Sequence, residues 1–205
     1  MSTSARNPSA RYGAVAMTLH WIIAALIILN LYLGLSFDDY ARGDPMKFQV
    51  IGLHKSIGLT VLTLSVLRLV WRLINPVPPA PPGLPRWMHI AGRSMHYLFY
   101  ALIVAIPLAG WMMVSAGAMG HGTPVFGQFG IPHLFDWPAF PWLSDLTRSQ
   151  AHPYHETFQS IHVVLAWSML GLIPLHIGAA LYHHYFRGDN VLLRMLPGLK
   201  LRSGV

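Results

Sequence analysis

The chain has 205 residues, 54% of them hydrophobic and 10% charged, where an ordinary soluble domain carries about 25% charged residues; this excludes a typical soluble globule and points to lipid. Cysteine is absent, which excludes disulfides, thiolate-held iron–sulfur clusters and covalent attachment of a prosthetic group through a C-x-x-C-H motif. The formal charge of +7 suggests a nucleic-acid partner only until its distribution is read. The basic residues follow membrane topology, and no nucleic acid is expected.

A membrane span needs roughly 20 mainly apolar residues, and the segments 14–35, 50–71, 95–114 and 163–182 qualify. The first is too long for the apolar region of a secretory signal and has no small-residue cleavage site after it, so it is expected to remain as an anchor. Arg6 and Arg11 precede it, Arg68, Arg72, Arg86 and Arg93 surround the second connection, and Arg187, Arg194, Lys200 and Arg202 follow the last span. The first connection (Asp38, Asp39, Arg42, Asp44, Lys47) and the third (Asp136, Asp145, Arg148) have little net positive charge. Lys and Arg bias segments to the cytoplasm, so both termini are expected there. The fold class expected is an all-α integral membrane four-helix bundle, a single transmembrane domain over residues 1–205. Residues 75–85 contain six prolines and predict a stiff extended linker between two helical hairpins. The third connection, about 115–154, has Phe126, Phe129, Phe135, Trp137, Phe140 and Trp142 among glycines and prolines, as expected at a membrane interface.

Ionisable side chains inside a span are costly and are functional candidates. His20, His54, His96 and His176 fall inside the spans, and His162 lies at the edge of the fourth. His162 and His176 are fourteen residues apart, which returns to nearly the same helix face about 21 Å along the axis. One helix therefore presents an imidazole near each surface of a hydrocarbon core roughly 30 Å thick. Topology places His20 at the depth of His176, in the cytoplasmic half, and His54 at the depth of His162, in the outer half. Histidines on facing helices hold haem b, each giving one axial nitrogen to iron. Two stacked sites are expected, with His20, His54, His162 and His176 as ligands.

Depth alone leaves His96 as a competitor of His20. Gly13, Ala24, Gly58 and Gly171 are small enough to admit a flat macrocycle, or simply to let helices approach closely. Arg68 lies fourteen residues after His54, on the same face but at the inner depth. It is placed there either to meet a haem propionate or to snorkel to the cytoplasmic surface. His89, His121, His133, His152 and His155 fall in connections or at helix ends and read as surface residues.

TLHW at 18–21, GLHKSIG at 52–58, LRLVWRL at 67–73, MHYLFYALIVAIPLAGW at 95–111 and LHIGAALYHHYFRGDNVLLRMLP at 175–197 resemble the bacterial cytochrome b561 family. That family shares its four-helix core with the cytochrome b subunits of membrane-bound hydrogenases and formate dehydrogenases. The resemblance covers nearly the whole chain. It implies an inner haem b on His20 and His176 and an outer one on His54 and His162, favouring His20 over His96. One departure is HETFQSIH at 155–162, because HET motifs in relatives can contain the ligand, which makes His155 a rival of His162.

The short length and the HHYFRGDN ending look most like the superoxide oxidase subgroup, whose members take electrons from superoxide on the periplasmic side and pass them to ubiquinone. By that resemblance His183, and with it Thr18, lies near a cytoplasmic-side quinone. Lys47 and Lys55 are candidates to attract the anion, or else ordinary interfacial anchors. The partners implied are membrane lipid, quinone, and superoxide or a redox protein. One alternative is a cytochrome b subunit between a partner dehydrogenase or hydrogenase and the quinone pool. A further one is a haem-free, histidine-lined metal transporter, against which the near absence of intramembrane carboxylates counts.

Overall fold

The computed structural model describes residues 4–8, 10–81, 83–117, 123–133 and 146–202. Four long helices carry the chain: α1 (Ala14–Leu35), α2 (Pro45–Ile74), α3 (Arg86–Gly117) and α4 (Arg148–Tyr182). All four are long and apolar enough to cross a membrane. Large apolar side chains such as Ile28, Leu73, Val164 and Trp167 point outward, and only 6% of the most apolar stretch of the last helix is buried inside the protein. Surface of this kind requires lipid as its solvent.

The helices run past the segments expected from hydropathy, and the reasons are local. α2 begins before residue 50 because Asp44 caps it, its Oδ1 accepting from the Met46 amide at 2.8 Å, and Pro45 fits the first helical position. It ends at Asn75, whose Nδ2 donates to the Trp71 carbonyl at 3.0 Å, where the prolines begin. α3 starts directly after Pro85 and so includes His89, expected in a connection. α4 begins at Arg148 because Thr147 and Gln150 form a capping box: the Thr147 amide and Oγ1 both donate to Gln150 Oε1 at 2.8 Å. This places His152 and His155 on a helix and not in the third connection.

Contacts divide the chain into two compact units. One consists of Met1–Ala24, Leu64–Ala101 and Met169–Val205. Here the N-terminal segment and the C-terminal tail fasten the proline stretch. Asn7 Nδ2 donates to the Pro76 carbonyl at 2.8 Å, Arg187 donates to the Gly83 carbonyl at 3.3 Å, and Arg194 donates to the Pro79 carbonyl. Arg11 donates to the Leu196 carbonyl at 2.8 Å, and Trp21 Nε1 to the Met195 carbonyl at 2.7 Å.

The other unit consists of Ala25–Thr63 and Leu102–Ser168. It contains a small antiparallel hairpin that the all-α expectation did not include: β1 (Thr123–Val125) paired with β2 (Phe129–Ile131), Val125 opposite Phe129. Its three-residue loop has left-handed backbone at Phe126 (φ 47°) and Gly127 (φ 68°), the hand of a type I′ turn, closed by the Gln128 amide donating to the Val125 carbonyl at 3.0 Å. The Phe126 amide donates to Ser56 Oγ of α2 at 2.9 Å. His121, Phe135, Asp136, Trp137, Phe140, Trp142 and Asp145 of the third connection lie outside the described residues.

Candidate functional site

Each unit brings histidines together. In the second, His54 of α2 and His162 of α4 face each other with ring centres 6.1 Å apart. An imidazole nitrogen lies about 2 Å from a first-row metal ion and about 1.2 Å from its own ring centre, so two imidazoles on opposite sides of one ion put their ring centres about 6.4 Å apart. The observed spacing meets that demand. His54 Nδ1 donates to the Asn30 carbonyl of α1 at 3.0 Å, and His162 Nδ1 donates to the Ile106 carbonyl of α3 at 2.9 Å. Bonding Nδ1 to a carbonyl leaves Nε2 as the coordinating nitrogen and fixes the ring plane, as metal-bound histidines require.

Two glycines make these ring positions possible. A Cβ on Gly34 would stand 3.2 Å from His54 Cε1, and one on Gly110 would stand 3.1 Å from His162 Cε1 and Nδ1. Beside them is an open cleft lined by His54, Lys55, Gly58, Pro107, Gly110 and Thr123 among others. His155 repeats the His162 arrangement seven residues earlier. Its Nδ1 donates to the Met113 carbonyl at 2.9 Å and its ring lies against Gly117; among the described residues its imidazole neighbour is the exposed His152 of the same helix, ring centres 6.4 Å apart, and no imidazole of another helix faces it.

In the first unit His176 of α4 has two neighbours, His20 of α1 at 6.3 Å and His96 of α3 at 5.9 Å between ring centres. Both distances suit a shared ion. Their settings differ: His20 is half-buried, whereas His96 is exposed and bonded through Nδ1 to the Gly92 carbonyl of its own helix at 2.6 Å. Arg68 lies near enough to act electrostatically on His20, His96 and His176. One of its guanidinium nitrogens is buried without a hydrogen-bond partner among the described residues. A buried, unpaired donor is costly, and a carboxylate at this place would satisfy it. Arg72 instead stacks over Tyr100, 5.4 Å from the ring centre.

The remaining candidates fall as follows. His183 is half-buried and its Nδ1 donates to Asp189 at 2.6 Å. Thr18 is exposed on α1 and forms no side-chain hydrogen bond among the described residues. Lys47 donates to the Tyr40 carbonyl at 3.3 Å, an interfacial anchor, while Lys55 lines the cleft beside His54. Gly171 has open space where a Cβ would be, and a Cβ on Gly58 would meet Asn30 Nδ2 at 3.5 Å. The glycines against the imidazoles are Gly34 and Gly110, which hydropathy did not single out. The seven-residue step shared by Gly110 and Gly117 with His155 and His162 was the available signal.

The donor set, the ring spacing, the free Nε2 atoms and the unpaired Arg68 nitrogen fit a haem with two axial imidazoles and acidic side groups. Comparison with known proteins agrees. The family model described as prokaryotic cytochrome b561 matches residues 11–198. Cytochrome b561 homolog 2 of Escherichia coli (strain K12) is 31% identical over 190 residues, 93% of each chain. Cytochrome b561 homolog 1 of the same organism is 27% identical over 93% of this chain and 99% of its own. A protein named Probable superoxide oxidase CybB, of Yersinia pestis, is 25% identical over 91% of this chain and 96% of its own. Membership of a cytochrome b family implies haem b and sets aside the haem-free transporter. The chain belongs to the prokaryotic cytochrome b561 family and is a multi-pass electron-transfer protein of the bacterial inner membrane.

Proposed function

We propose that the protein is a single transmembrane domain over residues 1–205 that holds two haems b and acts as a superoxide:ubiquinone oxidoreductase, with both termini in the cytoplasm. The observation that carries the reading is one pair of facing imidazoles in each unit, His54 with His162 at 6.1 Å and His20 with His176 at 6.3 Å. When bound, haem supplies a one-electron carrier whose two imidazole ligands leave no open position for oxygen chemistry at iron. His20, His54, His162 and His176 would hold iron through Nε2, and Arg68 would pair a propionate. Gly34 and Gly110 leave room for the imidazoles they face. Lys55 places positive charge at the cleft beside His54 and draws in the superoxide anion. His183 and Thr18 would border the quinone, with His183 the better supported by its half-buried setting and its bond to Asp189. The superoxide donor is supported by the likeness to the Yersinia pestis protein named Probable superoxide oxidase CybB.

Reduced-minus-oxidised visible spectra with haem-to-protein ratios test the ligands. His20→Ala and His176→Ala should lose one and the same haem, and His54→Ala and His162→Ala the other. His96→Ala and His155→Ala should retain both. Loss of the first unit's haem in His96→Ala but not in His20→Ala overturns that pair. For the reaction, purified protein given superoxide and ubiquinone should form quinol with no other protein present. Turnover only after adding a dehydrogenase or hydrogenase identifies it as a cytochrome b subunit of such an assembly.

A further inference from the structure

α4 does not end in a regular turn. It passes into a π-helical turn, His183–Arg187, closed by Gly188 in left-handed conformation (φ 69°), and π turns concentrate where a helix is bent to serve a site. The turn brings Asp189 back onto His183. The Asp189 amide donates to the His183 carbonyl at 3.2 Å, and Oδ2 accepts the His183 Nδ1 proton at 2.6 Å. Oδ1 accepts from the Val191 amide at 3.0 Å, and Arg187 Nε lies 3.7 Å from Oδ2.

Asp189 is the only buried acidic residue among the described residues, 4% exposed. Burying a carboxylate is unfavourable unless it is paired and hydrogen-bonded. The Val191 amide alone would suffice to cap the tail, as half-buried Asp44 does for Met46. A buried carboxylate on Nδ1 fixes the orientation of the imidazole and leaves Nε2 as the nitrogen that faces a ligand. No described residue hydrogen-bonds His183 Nε2. The other charged or titratable groups close to the pair are Arg187, the Tyr182 ring at 6.2 Å from His183, and Arg202, which donates to the neighbouring His184 carbonyl at 3.0 Å.

We infer that Asp189 is a positioning residue for quinone reduction, holding His183 by Nδ1 so that Nε2 gives a proton to the quinone oxygen beside it. The inference rests on the reading of His183 as a quinone neighbour. Quinone takes up two electrons, one from each of two superoxide anions, which become dioxygen, and two protons. The His183 Nε2–H bond breaks as one quinone O–H forms, and water on the same side returns the proton to Nε2. The second oxygen takes its proton from that water directly.

Asp189→Asn retains the shape and the Val191 hydrogen bond but removes the charge. With superoxide and ubiquinone, its kcat should fall about 10- to 100-fold, the range for loss of a group that orients a functional histidine. KM should change less than threefold, and stopped-flow reduction of the haems by superoxide should be unchanged. Asp189→Glu should regain part of the rate, and it replaces Asp189→Asn as the informative variant if the latter loses haem. In a His183→Gln background Asp189→Asn should have no further effect on kcat. Wild-type kcat in Asp189→Asn, or an equal further loss in the His183→Gln background, overturns the inference while leaving the quinone reading intact. Failure of the wild type itself to reduce quinone overturns both.

Discussion

A single methyl group is a sensitive probe of the imidazole pairs. A Cβ on Gly110 would stand 3.1 Å from the His162 ring, and His162 cannot retreat without breaking its bond to the Ile106 carbonyl. Overpacking of this kind costs about 1–3 kcal/mol. Gly110→Ala should therefore lower haem content, on the proposed reading from two per chain toward one, read by pyridine haemochrome assay, while Gly52→Ala, with nothing within 4 Å of its Cβ, should keep the wild-type content. Lys55 gives a second test. If its charge guides superoxide to the cleft, Lys55→Gln should slow haem reduction by superoxide several-fold at low ionic strength, with the difference shrinking as salt screens the field. A rate equal to wild type at low salt would leave Lys55 as an anchor only.

At the scale of elements, α3 and α4 meet through a repeat. Ile106 carbonyl, Gly110 and His162 form one unit of it, and Met113 carbonyl, Gly117 and His155 form the next. The spans and the histidine-bearing face of the last helix were legible in the sequence because apolar length and the fourteen-residue step from His162 to His176 are properties of a single helix. The glycines against the imidazoles and the Asp189 partner of His183 were not, because they depend on which helix faces which and on a π turn that no periodicity announces. The hairpin was hidden for a different reason. Its turn places Phe126 at φ 47°, a conformation that costs an ordinary L-residue about 1–2 kcal/mol and that Asn tolerates better. The Ser56 hydroxyl offsets the strain by accepting the Phe126 amide. Phe126→Asn should slow proteolytic cleavage of the third connection in detergent, whereas Ser56→Ala should speed it. The opposite order would mean that the phenylalanine ring, not the turn, holds the hairpin.

For the molecule as a whole, orientation decides which reaction each site can serve. The N-terminal segment, the proline stretch and the C-terminal tail are joined by hydrogen bonds from Asn7, Arg187 and Arg194, so they lie on one side of the membrane. That side contains Arg6, Arg11, Arg86, Arg93, Arg194 and Lys200, and the proposed cytoplasmic orientation rests on this excess of basic residues. A fluorescent protein fused after residue 205 should fluoresce and alkaline phosphatase at the same place should be inactive, while phosphatase inserted next to Gly43, in the first connection, should be active. On the proposed function, His20 and His176 would then serve the face from which quinone draws protons, and His54, His162 and Lys55 the periplasmic face where superoxide arrives. Active phosphatase at the C-terminus would exchange those faces. His183 would then meet periplasmic water and Lys55 cytoplasmic anions, and the direction proposed for the electrons would lose its physical basis even with both haems in place.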